Sequence, residues 1–222
     1  MRIVGIICPC RQELEPFLEL TANLRRVQIG KLGFFTGTIE AVQAVLCESG
    51  IGKVNSAIAA QIMTDRFNVE AIIVSGTAGS TDSRAGLFDT VICDTAVYHD
   101  LAPSALKSEN PHMTEAVFHA DRSLTLHLPQ DRYMFGRMAS GDVFADNSAR
   151  TRIVERTGAV CADMETAAVA HCCFINNIPF TAVRTITDTP KCDGIKTCLA
   201  NMDRAAELSA AAVVEILKSN KI

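Results

Sequence analysis

The chain has 222 residues, 48% of them apolar, which suits one α/β domain over residues 1–222 with a single sizeable core. A formal charge of −4, a pI near 5.7 and Lys and Arg scattered along the chain argue against a basic face for nucleic acid, leaving a small molecule or a second copy of the chain as partner. No apolar run reaches the roughly 18 residues of a membrane span, and the apolar start Met1 to Cys10 is too short for a secretory core, so the expectation is a soluble, cytoplasmic protein.

In chain order, Arg2 to Cys8 reads as a β-branched strand and Gln12 to Leu24 as an amphipathic helix, despite Pro16 near its start. Arg26 to Ile29 and Phe34 to Thr38 read as strands joined at Gly30 to Gly33, and Ala41 to Glu48 carries β character up to a glycine-bearing loop. Ser49-Gly50-Ile51-Gly52-Lys53 then opens a helix to about Phe67. Glu70 to Ser75 is an apolar strand ending in Gly76-Thr77-Ala78-Gly79-Ser80, and Phe88 to Val97 another ending in Tyr98-His99-Asp100. Residues 101 to 130 are polar and weakly periodic, with three prolines, and read as a surface excursion containing one short helix. Arg137 to Ser140, a helix from Asn147 to Arg156, a strand at Ala159 to Ala162 and a helix from Met164 to Phe174 follow. Pro179 to Thr187 is a further apolar strand, and Met202 to Lys218 a closing helix. Such alternation predicts a three-layer α/β domain, a twisted and largely parallel or mixed sheet with helices on both faces.

The nine cysteines contain no C-x-x-C pair, which speaks against zinc, and most lie in apolar runs where a thiol packs as a small hydrophobe, as in a reducing cytosol. His171 is the only sequence-local base for a cysteine nucleophile, Cys172, and consecutive helical residues point to different faces.

In open α/β sheets the ligand lies beyond the carboxyl ends of the strands. Glu13, Glu165 and Asp188 all fall at such places, although Glu13 also suits a first helical turn and Asp163 or Asp188 also suits a helix cap. Ser49 to Lys53 lacks the spacing of a triphosphate loop and the third glycine of a dinucleotide fingerprint. Gly76-Thr77-Ala78-Gly79 reads as a tight turn bringing backbone close to a ligand.

Taken together, Gly5-Ile6-Ile7 with Glu13, Ser49 to Val54, Ser75 to Gly79, Tyr98-His99-Asp100, Ser140 to Phe144, Asp163-Met164-Glu165 and Arg184 to Asp188 give the chain a resemblance. Over almost its whole length it resembles the nucleoside phosphorylase and nucleosidase superfamily, specifically the 5'-methylthioadenosine/S-adenosylhomocysteine nucleosidases. The resemblance implies a nucleoside phosphorylase-like fold and hydrolysis of the N-glycosidic bond without metal or cofactor. It makes Glu13 the base that activates water, Asp188 the acid at purine N7, and Glu165 with Met164 the ribose holders. Phe144 would stack on adenine, with plain core as its competing role, and backbone at Ala145 would read the purine edge. Thr77 and Arg184 would help place the water, and Gly79, Asp163 and Thr187 complete the substrate contacts. It also implies a homodimer in which a neighbouring subunit, through region 101 to 130, completes the pocket for the 5' substituent.

The chemistry explains these residue types. Breaking the C–N bond builds positive charge on ribose and leaves electrons on the purine, so one group must protonate the leaving base and another must deprotonate water. The related phosphorylases hold a phosphate dianion with two arginines; here Val74 and Ser75 occupy one of those places and only Arg11 lies near the other, which favours water. Thr77 and Thr187 stand where the nucleosidases commonly carry Ser, and Asp163 where many carry Glu. About Cys198 falls where a phenylalanine covering the purine is expected, so that lid is missing or rebuilt. The rival readings are a futalosine-type hydrolase, a purine nucleoside phosphorylase and a catalytically silent nucleoside sensor.

Overall fold

The computed structural model describes residues 3–108, 110–113, 115–192 and 194–218. Ten strands form one mixed sheet: β1 (Ile3–Cys8), β2 (Ala22–Ile29), β3 (Leu32–Ile39), β4 (Val42–Glu48), β5 (Ala71–Ser80), β6 (Thr90–Tyr98), β7 (Phe118–His119), β8 (Met134–Ser140), β9 (Cys161–Asp163) and β10 (Phe180–Asp188). The helices are α1 (Arg11–Leu20), α2 (Lys53–Phe67), α3 (Pro103–Ser108), α4 (Asn147–Thr157), α5 (Thr166–Asn176) and α6 (Ile195–Lys218).

The strand order is β10-β6-β8-β9-β5-β1-β4-β3-β2, and β10 pairs again with β5. β5, β10, β6, β8 and β9 therefore close on themselves, which leaves none of the five with an open edge. Two large cores flank the sheet because side chains alternate along each strand, and a third, smaller one gathers Val97, Ala139, Ile153, Ala159 and Ala162. On β1, Val4 and Ile6 face Leu14 and Phe17 of α1 and Val213 and Ile216 of α6. Ile7 faces the opposite way, into the core that Ala60 and Met63 of α2 share with Ala167 and Val169 of α5.

Three expectations change. The first helix stops at Leu20 rather than Leu24, because residues 22–29 pair along β3 as an antiparallel strand. The segment Gly76 to Gly79 is no tight turn but the second half of β5, paired with β10 from Gly76 to Gly79 and with Ala162 of β9. The closing helix begins at Ile195 rather than Met202, so Cys198 stands in its first turns. Among the described residues, region 101 to 130 holds α3, β7 and one 3-10 turn at Arg122–Leu124.

Helix α6 is pinned to the sheet through one buried hydroxyl. Ser209 Oγ lies 2.8 Å from Ser75 Oγ, accepts the Gly76 N–H at 3.1 Å and donates to the Val183 carbonyl at 3.1 Å. Ser209→Ala leaves buried polar groups without that partner and should cost about 1–3 kcal/mol. A lowered urea midpoint with an unchanged slope is the expected result.

Candidate active site

The loops after β1, β4, β8, β9 and β10 and the end of β5 meet at one cleft. Its lining includes Cys10, Glu13, Ile51, Thr77, Gly79, Phe144, Ala145, Asp163, Met164, Glu165, Arg184, Thr187, Asp188, Cys198 and Met202. The cavity is about 150 Å³, within a cleft of about 710 Å³ counted out to its solvent mouth. All eleven residues proposed from sequence border this cleft. A second groove, near Asp94, Arg122 and Tyr133, whose cavity of about 660 Å³ exceeds the 150 Å³ here, contains none of them.

Glu13 stands in the first turn of α1 and is buried. Its Oε1 accepts the Thr77 N–H at 2.7 Å and the Thr77 hydroxyl at 2.9 Å, and the Cys10 thiol donates to Oε2 at 3.4 Å. A Cβ on Gly76 would lie 2.6 Å from both Glu13 Oε1 and Arg184 Nη1. The strand thus has room for both groups because residue 76 has no side chain.

Arg184 on β10 is wholly buried. Nε pairs with Asp163 Oδ2 at 2.8 Å, Nη2 with Glu165 Oε2 at 3.0 Å, and Nη1 donates to the Thr77 carbonyl at 3.3 Å. Burial opposes its charge, but Asp163, Glu165 and Glu13 outweigh that cost and hold it above its ordinary value. Glu165 also accepts the Gly52 N–H on Oε1 at 2.9 Å. Burial pushes its carboxyl up to about 7 against the pull of Arg184. The Gly52 and Lys53 amides at the start of α2 therefore face the chain's own carboxylates, with Lys53 N–H on Asp142 Oδ1 at 2.9 Å. That contact explains why the glycine loop resembles an anion cradle without being a triphosphate loop.

Asp163 lines the cleft with both oxygens bonded inside the protein. Oδ1 accepts from the Ser140 hydroxyl and, at 3.2 Å each, from the Glu165 and Thr166 amides, while Oδ2 takes the Thr166 hydroxyl and Arg184. It anchors the start of α5, the helix-end role its residue type also allows. Asp188, buried at the end of β10, pairs through Oδ2 with Arg150 of α4 and accepts the Thr187 hydroxyl on Oδ1 at 2.7 Å. Thr187 Oγ1 also lies 3.3 Å from the Ala78 carbonyl and 3.4 Å from Cys198 Sγ. Phe144 is half-buried on the cleft wall, and the Ala145 carbonyl accepts Arg150 Nε at 3.1 Å.

Sequence reasoning missed Arg150, the Gly52 amide and Ser140. Arg150 falls in a polar helical stretch where arginine ordinarily marks a solvated face, and only the fold buries it. Arg11, the one candidate for holding phosphate, is half-exposed and paired with Glu15 at 2.6 Å. Among the described residues lining the cleft, Arg184 is the one guanidinium, and two carboxylates already engage it. Burial pushes the Cys10 thiol up to about 12 and the Cys172 thiol up to about 11, which disfavours the thiolate a nucleophile needs at either position. His171 turns to Tyr98, 3.3 Å away, while Cys172 turns to Gln61.

Residues 3–218 match the Phosphorylase superfamily model, the class that this sheet and cleft define. The 5'-methylthioadenosine/S-adenosylhomocysteine nucleosidase of Marinomonas sp. is 30% identical over 232 residues, covering 99% of this chain and 100% of that protein. The nucleosidase of Streptococcus pneumoniae, solved with 8-aminoadenine, aligns with a TM-score of 0.89 at 28% identity, covering 99% of this chain and 100% of that one. A futalosine hydrolase mutant of Helicobacter pylori, 23% identical with a TM-score of 0.88 and coverage of 98% and 99%, shares the fold. The chain belongs to the 5'-methylthioadenosine/S-adenosylhomocysteine nucleosidase family within that superfamily.

The raised Glu165 carboxyl sets a pH dependence of stability. Between about 4.5 and 7 the folded state binds a proton that the unfolded state has released, so this stabilising contribution is complete below 4.5 and lost as pH rises through 7. Urea titrations of wild type and Glu165→Gln should show wild type losing ground to the variant across that window. A difference that stays constant with pH contradicts the assignment.

Proposed function

We propose that the protein hydrolyses the N-glycosidic bond of 5'-methylthioadenosine and S-adenosylhomocysteine, releasing adenine and the 5-thio-substituted ribose. The observation that carries this reading is the convergence of Glu13, Glu165 and Asp188, from three distant parts of the chain, on one cleft. The attacking water uses Glu13 Oε2, which has the weak Cys10 thiol donor at 3.4 Å while Thr77 fills Oε1 with two donors, and gives its proton to that carboxylate as its oxygen bonds C1'. The electron pair of the breaking bond passes to the purine, whose N7 takes a proton from Asp188. Glu165, buttressed by Arg184 and the Gly52 amide, receives the ribose hydroxyls beside Met164. Phe144 stacks on adenine and backbone groups at Ala145, whose carbonyl Arg150 Nε holds at 3.1 Å, read the purine edge. The engagement of Arg11 with Glu15 supports water over phosphate as the attacking group.

The protein acts as a homodimer in the cytoplasm, in the methionine salvage that such products serve. Support for the dimer comes from exposed apolar side chains: Ile51, Val54, Ile58, Val143, Phe174 and Ile175 are all exposed, and Ile51 and Val143 also line the cleft.

Incubation with methylthioadenosine in the presence and absence of phosphate should yield adenine and free methylthioribose in both. A ribose 1-phosphate product overturns hydrolysis, and a nucleoside panel including futalosine separates the rival substrate. Glu13→Gln should lower kcat by about 10² to 10⁴-fold while leaving nucleoside binding measurable by calorimetry. Val54→Glu on the exposed face should convert a dimer to a monomer in sedimentation equilibrium and raise KM for methylthioadenosine. An unchanged association state removes this face as the interface.

A further inference from the structure

Arg150 is a buried cation that the mechanism above does not use. It projects from α4 with 2% of its surface exposed and ties together three segments of the cleft. Nη2 bonds Asp188 Oδ2, Nη1 bonds the Ser80 carbonyl at the end of β5 and lies 3.3 Å from the Asp188 carbonyl, and Nε donates to the Ala145 carbonyl at 3.1 Å. A Cβ on Gly79 would lie 3.1 Å from Asp188 Oδ2 and 3.2 Å from Arg150 Nη2, so the strand beside the pair is bare of side chain where the two meet.

We propose that Arg150 is a positioning residue for the proposed acid: by occupying Asp188 Oδ2 it leaves Oδ1 as the oxygen that carries the transferred proton, and through Ala145 it holds the purine-binding strip in register with that oxygen. The inference rests on the proposed hydrolysis and deepens it. Thr187 fits the same arrangement. Its hydroxyl donates to Asp188 Oδ1, and with the Ala78 carbonyl 3.3 Å away it has a second acceptor to turn to when Oδ1 itself bears a hydrogen. In the reaction the proton leaves Oδ1 for purine N7, the C1'–N9 electron pair passes to the purine, and water adds to C1' with its proton going to Glu13. That proton returns to Asp188 through solvent, and Arg150 neither gains nor loses one. The planar guanidinium serves all three segments at once, which an ammonium cannot do.

A double-mutant cycle tests the assignment, with kcat for methylthioadenosine measured in wild type, R150M, D188N and R150M/D188N. Arg150 acting through Asp188 requires R150M to lower kcat by about 10 to 100-fold in the wild-type background, with little change in KM. On the D188N background the same change should cost less than about 3-fold, since the group it positions is already gone. R150K, which keeps the buried charge, provides the same cycle if R150M does not fold, and should recover only part of the lost turnover. Equal losses on both backgrounds overturn the proposal, as does failure of both Arg150 variants to fold, which would make the residue a support of the fold alone. A wild type that releases no adenine overturns the proposed hydrolysis instead, so the two failures are distinguishable.

Discussion

Arg184 is the interaction on which the rest of the site depends. A guanidinium with no solvent exposure is tolerated only because carboxylates surround it, and each of those carboxylates is tolerated only because of the guanidinium. Removing Arg184 would strand Asp163 and Glu165 without their counter-charge, beside a third buried acid, Glu13. The pairing also joins distant pieces of chain: Asp163 is the end of β9, Glu165 the start of α5, Thr77 the middle of β5 and Arg184 the middle of β10. Its fork geometry fixes Glu165 in the orientation in which the Gly52 amide reaches the other oxygen.

The second ion pair, Arg150 with Asp188, follows the same logic with different partners. The Arg184 pair organises the wall assigned to ribose and water, and the Arg150 pair organises the wall assigned to the base. Both need close approach to strand β5, and at Gly76 and Gly79 that strand has glycine. Between the two pairs the walls are soft: Cys10 Sγ lies 4.0 Å from Met202 Sδ, and Met164 and Cys198 complete a sulfur-rich lining. Cys198, standing where an aromatic purine cover was expected, comes from the first turns of α6 with its thiol against Thr187.

Much of the architecture was legible beforehand because it rests on local patterns. β-branched runs such as Ile3–Cys8 and Phe180–Asp188 read as strands, and α2, α4 and α5 were placed to within a few residues. Boundaries failed where pairing overrode local preference. Residues 22–24 looked helical yet joined β2, since β3 offered backbone partners, and Gly76 to Gly79 looked like a turn yet ran on as strand between β10 and β9.

The amino-acid sequence by itself determined the α/β alternation, the acidic residues at strand ends and the family pattern, because these depend on residue type and spacing along the chain. Only the tertiary structure decided that β5, β10, β6, β8 and β9 close on themselves, that Arg150 is buried against Asp188, and that Arg11 belongs to the surface. The reason is physical: a charged side chain carries no mark of its eventual burial, and partners separated along the chain by 38 residues in one pair and 19 in the other meet only when the whole sheet has formed.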